Sequence, residues 1–278
     1  AANLLVECLI NQGVDKIYGV PGESYLSVLD ALYDFNEKIR FISTRHESAA
    51  SFMAEAYGKL TGEAGICFVT RGPGATNASI GVHTAMQNSS PMILFIGQIA
   101  RDMTEREAFQ EIDYKAYFGS ISKWVVQVNN ADRLPEIIGR AFSVALSGRP
   151  GPVVVSLPED MLRELTNATA VSKIKKSCAH ISTNQINVIK DELEKSKRPL
   201  IICGGGGWTD TGRDYLKSFS ESTNIPVICA FRNQDLMDTN SYAYVGDASF
   251  GKPEYIKELI KYSDLMLAIN IRFGEVVT

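Results

Sequence analysis

The sequence predicts an α/β protein made of two doubly wound parallel-sheet domains, and three observations predict it. Apolar runs of strand length recur along the chain without strict in/out alternation, the pattern of strands covered on both faces. Helical patterns separate these runs, so right-handed crossovers join neighbouring strands and the sheets are parallel. At 278 residues the chain exceeds one ordinary core and suits two.

Strands are predicted at 16–20, 39–43, 65–70, 91–97, 123–128 and 152–157. Between the first two, Leu26, Leu29, Ala31, Leu32 and Phe35 recur mainly at three- and four-residue spacing and predict a helix over 24–35. Ala50, Met53, Ala54, Tyr57 and Leu60 do the same over 47–60. These elements form a first domain at 1–163. Residues 164–183 are polar, carry scattered charges and hold no period, so a linker is expected there, with Lys173-Ile174-Lys175-Lys176 as a solvated charge run. A second α/β unit is expected at 184–278. It comprises a helix at 184–195, a strand at 200–203, a glycine turn at 204–207, a helix at 212–223 and a strand at 226–230. After an aperiodic stretch at 231–251 come a helix at 253–262 and a strand at 265–271. Because the chain opens on Ala1 and stops just after a strand, it is expected to be a fragment whose second domain is truncated.

Composition excludes several classes of function. Apolar residues make up 45% and charged residues 22%, which argues for a globular protein rather than a disordered one. A net charge of −4 leaves no electrostatic footprint for nucleic acid. No apolar run reaches the length of a membrane span and no signal peptide opens the chain, so the cytoplasm is the expected compartment. Cys8, Cys67, Cys178, Cys203 and Cys229 form no C-x-x-C pair and read as buried reduced thiols. The three histidines, His46, His83 and His180, are not clustered, so no metal ligands are expected.

Candidate chemistry lies in the turns that leave the strands, since ligands of open α/β sheets bind at the carboxyl ends of the strands. Thr44-Arg45-His46-Glu47 places a carboxylate at a helix start, where free amides stabilise it. By itself that is an ordinary helix-start acid, paired with Arg45 or solvent. The small apolar context Ser48-Ala49-Ala50-Ser51-Phe52-Met53 lets this helix end lie against another surface and partly desolvates the carboxylate, which suits proton exchange with a bound heterocycle. Thr70-Arg71-Gly72-Pro73-Gly74 gives a bend whose glycines can approach a flat ligand without a Cβ, followed by Thr76 and Asn77 as capping or hydrogen-bonding groups. Val20-Pro21-Gly22-Glu23-Ser24 is a third such turn, with Glu23 or Ser24 able to cap. Each turn alone is explained by structure; three on one sheet edge point to a cofactor site.

These turns, followed in order by Phe109-Gln110-Glu111 and Gly148-Arg149-Pro150-Gly151-Pro152-Val153, resemble the thiamine-diphosphate-dependent decarboxylase and acetolactate synthase family over nearly the whole chain. The resemblance implies a pyrimidine-binding domain followed by a central domain, with the third, diphosphate-binding domain absent. It implies that Glu47 exchanges a proton with the cofactor's aminopyrimidine ring, and that Val20, Pro21, Gly22, Thr70, Gly72, Pro73, Gly74 and Asn77 bind the cofactor. Phe109 and Gln110 match a substrate-contacting segment, Gln110 beside the reacting carbonyl. The implied reaction is decarboxylation of a pyruvate-like 2-oxo acid with carboligation to a second carbonyl compound. A simple decarboxylase, an oxidase of the same family and a non-catalytic two-domain regulatory or assembly homologue stay open. A plain nucleotide-binding module rests only on the glycine turn. The active site is implied to lie at the interface of a homodimer or homotetramer.

Some positions depart from the family pattern. Arg71 stands where serine is usual and Val20 where acetolactate synthases often have tyrosine. Gly204-Gly205-Gly206 and Arg272-Phe273 resemble flavin-carrying segments, but Gly274-Glu275-Val276 do not and no Met-His pair follows Phe231, so the balance is against FAD. The turn also fails G-x-G-x-x-G spacing, with Thr209 at the third glycine's place. Mg²⁺ ligands are expected in the third domain. Gly246-Asp247-Ala248 with Asn270 copies that motif only superficially.

Overall fold

The computed structural model describes residues 1–177 and 179–277. Two compact units divide at Ser177, inside the stretch expected to be a linker. The first contains α1 (Ala2–Asn11), β1 (Lys16–Gly19), α2 (Leu26–Asp34), β2 (Arg40–Ser43), α3 (Glu47–Thr61), β3 (Gly65–Val69), α4 (Gly72–Asn88), β4 (Met92–Gln98), α5 (Tyr114–Phe118), β5 (Trp124–Gln127), α6 (Leu134–Leu146), β6 (Pro152–Pro158) and α7 (Glu159–Leu162). Its six strands are all parallel, in the order β2-β1-β3-β4-β6-β5.

Covering both faces removes the polar half of a strand's alternation, and β3, β4 and β6 are buried at every position. Ile66, Phe68, Ile93 and Phe95 point to one face, where Leu5 and Leu9 of α1 and Ile138 of α6 meet them. Cys67, Val69, Leu94 and Ile96 point to the other, where Ala50, Ala54, Ala78 and Val82 of α3 and α4 cover them. Small residues let this second layer approach closely: a Cβ on Gly65 would stand 1.9 Å from the Ala54 carbonyl oxygen, and one on Gly81 2.3 Å from Ser51 Oγ.

Periodicity misplaces part of the helical faces. Met53 and Leu60 of α3 are exposed, and the buried side is Ala50, Ser51, Ala54, Glu55 and Gly58. In α2 the buried residues are Val28, Ala31 and Leu32, with Leu26 exposed. The opening helix α1 belongs to the core although no pattern marked it. Residues 164–177 hold no helix or strand, but they are not a free solvated run. Ala168, Ala170, Val171 and Ile174 pack on the core of the first unit, and Gln12 donates to Ser172 O and accepts from Ile174 N. Lys176 reaches Gly62 O and Glu63.

The second unit holds α8 (Thr183–Lys195), β7 (Pro199–Cys203), α9 (Asp210–Thr223), β8 (Val227–Ala230), β9 (Tyr244–Ala248), α10 (Glu254–Tyr262) and β10 (Leu265–Ile269). Its four parallel strands run β10-β7-β8-β9. β9 lies inside the stretch read as aperiodic. A register shift opposite Val227 and Ile228, together with Gly246 at φ 132°, breaks the alternation that would have marked it. Cys8, Cys67, Cys203 and Cys229 are buried free thiols, while Cys178 lies outside the described residues. No helix among the described residues is long and apolar enough to cross a membrane.

Candidate active site

The strand order of the first unit reverses at β1. The chain leaves β1 toward β2 and returns past it to β3, so the loops after β1 and β3 part and open a crevice at the carboxyl edge. Val20 to Ser24 and Thr70 to Gly74 border this crevice, and the loop after β2 delivers Glu47 to it. Glu47 is the first residue of α3, whose N-cap is His46 with Nδ1 accepting from Ser48 N. Its carboxylate is partly buried and Oε2 accepts a 2.9 Å hydrogen bond from Asn77 Nδ2 of α4. Asn77, rather than Arg45, is therefore the partner of this acid.

Gly72-Pro73-Gly74 is not a bend ahead of the helix, as the sequence suggested, but the first turn of α4. Pro73 suits this place because its missing N–H falls where helices lack partners. The glycines are required by contact rather than by backbone angle, since neither has a positive φ. A Cβ on Gly74 would lie 2.9 Å from Thr70 Cγ2 and 3.5 Å from Glu47 Oε1. One on Gly72 would lie 2.6 Å from Gln110 O, the acceptor of the Gly72 N–H at 3.0 Å. Both glycines are buried, and they let the Gln110 backbone, Thr70 and Glu47 pack closely on the start of α4.

Ser24 does not cap. It is fully buried and its Oγ lies 2.9 Å from Thr70 Oγ1, joining the turn after β1 to the turn after β3. Gly22 permits this, because a Cβ there would be 2.5 Å from Thr70 Cβ. Tyr25 Oη donates to Val20 O and fixes the strand end, while Pro21 is exposed. Thr76 turns back to Pro73 O within its own helix. Burial pushes the Tyr25 hydroxyl and the Cys67 thiol well above their ordinary values, and the nearby Glu47 charge adds to both. Both groups stay protonated beneath the site.

Phe109 and Gln110 reach the same edge. Gln110, at φ 66°, enters through its carbonyl, and Phe109 is 73% exposed with its ring 5.9 Å from the Arg71 guanidinium. In the sequence Arg71 is only a departure from the family pattern. It is buried, ion-paired with Glu23 after β1 and 4.0 Å from Glu159 at the start of α7. Only the fold brings these three charges together, so no local signal could have found them.

In the second unit the corresponding crevice lies between the tips of β7 and β10. Gly205 and Gly207 have positive φ, Trp208 Nε1 donates to Gly204 O, and a Cβ on Gly205 would strike Asn270 O at 2.2 Å. Asp247 and Asn270 belong to opposite edges of this sheet, about 14 Å apart at the usual strand spacing, and form no joint metal site. No group of three or more His, Cys, Asp or Glu able to hold a metal occurs among the described residues. A cavity of about 1110 Å³ lined by Leu193, Pro199, Phe219, Ile225 and Tyr262 sits at the amino ends of this unit's strands, at the opposite edge from its crevice.

Residues 1–117 match the model of the thiamine pyrophosphate enzyme N-terminal TPP binding domain, and 186–278 match that of the thiamine pyrophosphate enzyme central domain. The chain belongs to the thiamine pyrophosphate enzyme family. Its relatives include the acetolactate synthase large subunit of Buchnera aphidicola subsp. Schizaphis graminum, 34% identical over 100% of this chain and 49% of the relative. Acetolactate synthase isozyme 3 large subunit of Escherichia coli is 33% identical over the same shares, and mitochondrial acetolactate synthase of Schizosaccharomyces pombe is 33% identical over 98% and 42%. The chain thus spans about half the length of the curated relatives it matches. Glu47, Asn77, Gly72 and Gly74 fall within the matched N-terminal domain.

Proposed function

We propose that the first unit binds the pyrimidine ring of thiamine diphosphate, in an enzyme that decarboxylates a pyruvate-like 2-oxo acid and joins the remainder to a second carbonyl compound. One observation carries the reading: Glu47, with one carboxylate oxygen held by Asn77, stands where the exits of β1 and β3 part. A ring nitrogen of a bound heterocycle fits beside a carboxylate oriented in this way. Bound thiamine diphosphate would supply a carbon nucleophile and an acceptor for the electrons released as carbon dioxide leaves.

The chain's own residues have narrower tasks. Glu47 holds or returns a proton at the ring nitrogen, and Asn77 fixes the carboxylate's orientation. Gly72 and Gly74 let Gln110, Thr70 and Glu47 close around the start of α4 beside the cofactor, while Ser24 and Thr70 keep the two turns in register. Val20, Pro21, Gly22 and Pro73 complete the crevice rim. Phe109 and Gln110 take the substrate side. The similarity to acetolactate synthases supports carboligation over simple decarboxylation or oxidation. Mg²⁺ and the diphosphate are assigned to residues outside these two units, and no FAD is assigned to the glycine turn. Exposed Phe52, Met53 and Ile80 near the site suit burial against a second copy, so a homo-oligomer with the site at its interface is part of the proposal. The cytoplasm is the proposed compartment.

Glu47→Gln in the full-length protein tests the assignment. It is expected to lower kcat by about a hundredfold or more while the melting temperature holds; unchanged turnover would refute it. Product analysis with pyruvate separates carboligation from release of an aldehyde or acetate.

A further inference from the structure

The Arg71 side chain is 9% exposed, yet its donors are poorly used. A guanidinium offers five N–H groups in a fixed fork. One Nη2 bond goes to Glu23, Nη1 is 4.0 Å from Glu159, and the buried Nε has no hydrogen-bond partner. An unpaired buried donor is costly, so this cluster is short of an acceptor. The two ends of the Arg71–Glu23 pair also differ. Glu23 is 72% exposed, so its carboxylate has solvent as an alternative partner, whereas Arg71 has none. The exposed half of the pair is the exchangeable half.

Position gives this arrangement a use. Arg71 directly precedes Gly72 at the edge that carries Glu47, and Phe109 lies over its guanidinium. On the reading that this edge is the reaction site, we infer that Arg71 recognises a carboxylate that a reactant keeps through the reaction, with Glu23 standing in for that carboxylate until it arrives. The carboxylate lost as carbon dioxide is a poor match. A strong ion pair to it would be lost on the way to the transition state and would slow the step. The retained group is either the carboxylate of an acceptor 2-oxo acid or a second carboxylate on the donor.

The experiment compares wild type, Arg71→Lys and Glu23→Gln in the full-length holoenzyme. With pyruvate as donor, KM is measured for 2-oxobutyrate and for benzaldehyde as acceptors; carbon dioxide release from pyruvate and from 2-oxoglutarate tests the donor. Arg71→Lys should raise the KM of the carboxylate-bearing reactant about tenfold relative to its neutral or monocarboxylate counterpart, because the fork is lost. Glu23→Gln should move the same ratio the other way, by about threefold, because the competing carboxylate is gone. A ratio that rises with 2-oxobutyrate assigns the acceptor, and one that rises with 2-oxoglutarate assigns the donor.

If Arg71 only clamps three loops, both variants weaken the enzyme in the same direction whatever the reactant's charge, and the inference is overturned. Calorimetric titration of cofactor-free full-length protein with 2-oxobutyrate and 2-oxoglutarate gives a readout without turnover. Binding of either acid that tightens in Glu23→Gln and weakens in Arg71→Lys supports the inference. Identical titrations for all three proteins refute it. Opposite shifts in binding without 2-oxo acid turnover in wild type would sink the proposed function and leave the anion site standing.

Discussion

Replacing Asn77 tests the site at the bond that orients its carboxylate. The Asn77 Nδ2 to Glu47 Oε2 bond is 2.9 Å long and charge-assisted. A hydrogen bond to a charged group contributes roughly 1.5–3 kcal/mol, and each 1.4 kcal/mol is a factor of ten. If that orientation serves the transition state, Asn77→Ala should lower kcat by about ten- to a hundredfold. The bond is partly solvated, so the melting temperature should move by no more than about 2 °C. Asn77→Asp keeps the shape and reverses the logic. Two carboxylates at that separation cannot both ionise, so the acid limb of the pH–rate profile should move to higher pH. Steady-state kinetics from pH 5 to 9 on the full-length protein, with thiamine diphosphate affinity followed by tryptophan fluorescence, measure both effects. Unchanged kcat in Asn77→Ala together with an unmoved acid limb in Asn77→Asp would refute the orienting role.

Gly74→Ala should weaken thiamine diphosphate binding about tenfold, since its Cβ would crowd Thr70 and shift the start of α4 against Glu47 Oε1; equilibrium titration with the cofactor checks this. Gly65→Ala should cost about 3 kcal/mol or more, because the new Cβ meets the Ala54 backbone rather than a movable side chain. Urea unfolding reads that loss. Asp264 accepts from Ser196 Oγ and the amides of Lys197 and Arg198, which hold its carboxyl at about 2 against a usual 3.8. A lowered folded-state value means its stabilisation is present above about pH 4 and is lost as pH falls through about 2. The stability gap between wild type and Asp264→Asn, measured by urea unfolding, should therefore close across that window.

Much of the fold was legible because parallel strands need both faces apolar, and β3, β4 and β6 announce themselves as mainly apolar runs. Elements without such a run were lost. β9 carries a glycine at positive φ and a register shift, and α1 gave no stripe that stood out from its surroundings. The stripe on α3 pointed to Met53 and Leu60, which are exposed, because the layer against β3 is set by closeness of approach and so by Ala, Ser and Gly.

The same division runs through the site. Sequence alone determined that a helix-start carboxylate and glycine-rich strand exits exist, since helix starts and tight backbone approaches are written in neighbouring residues. Tertiary structure decided that Glu47 pairs with Asn77, that Gly72-Pro73-Gly74 opens a helix, that Ser24 bridges to Thr70, and that Arg71 meets Glu23 and Glu159. Those partners lie dozens of residues apart in the chain. The strand order that places the exits of β1, β2, β3 and β6 along one edge is what brings them within reach of one another.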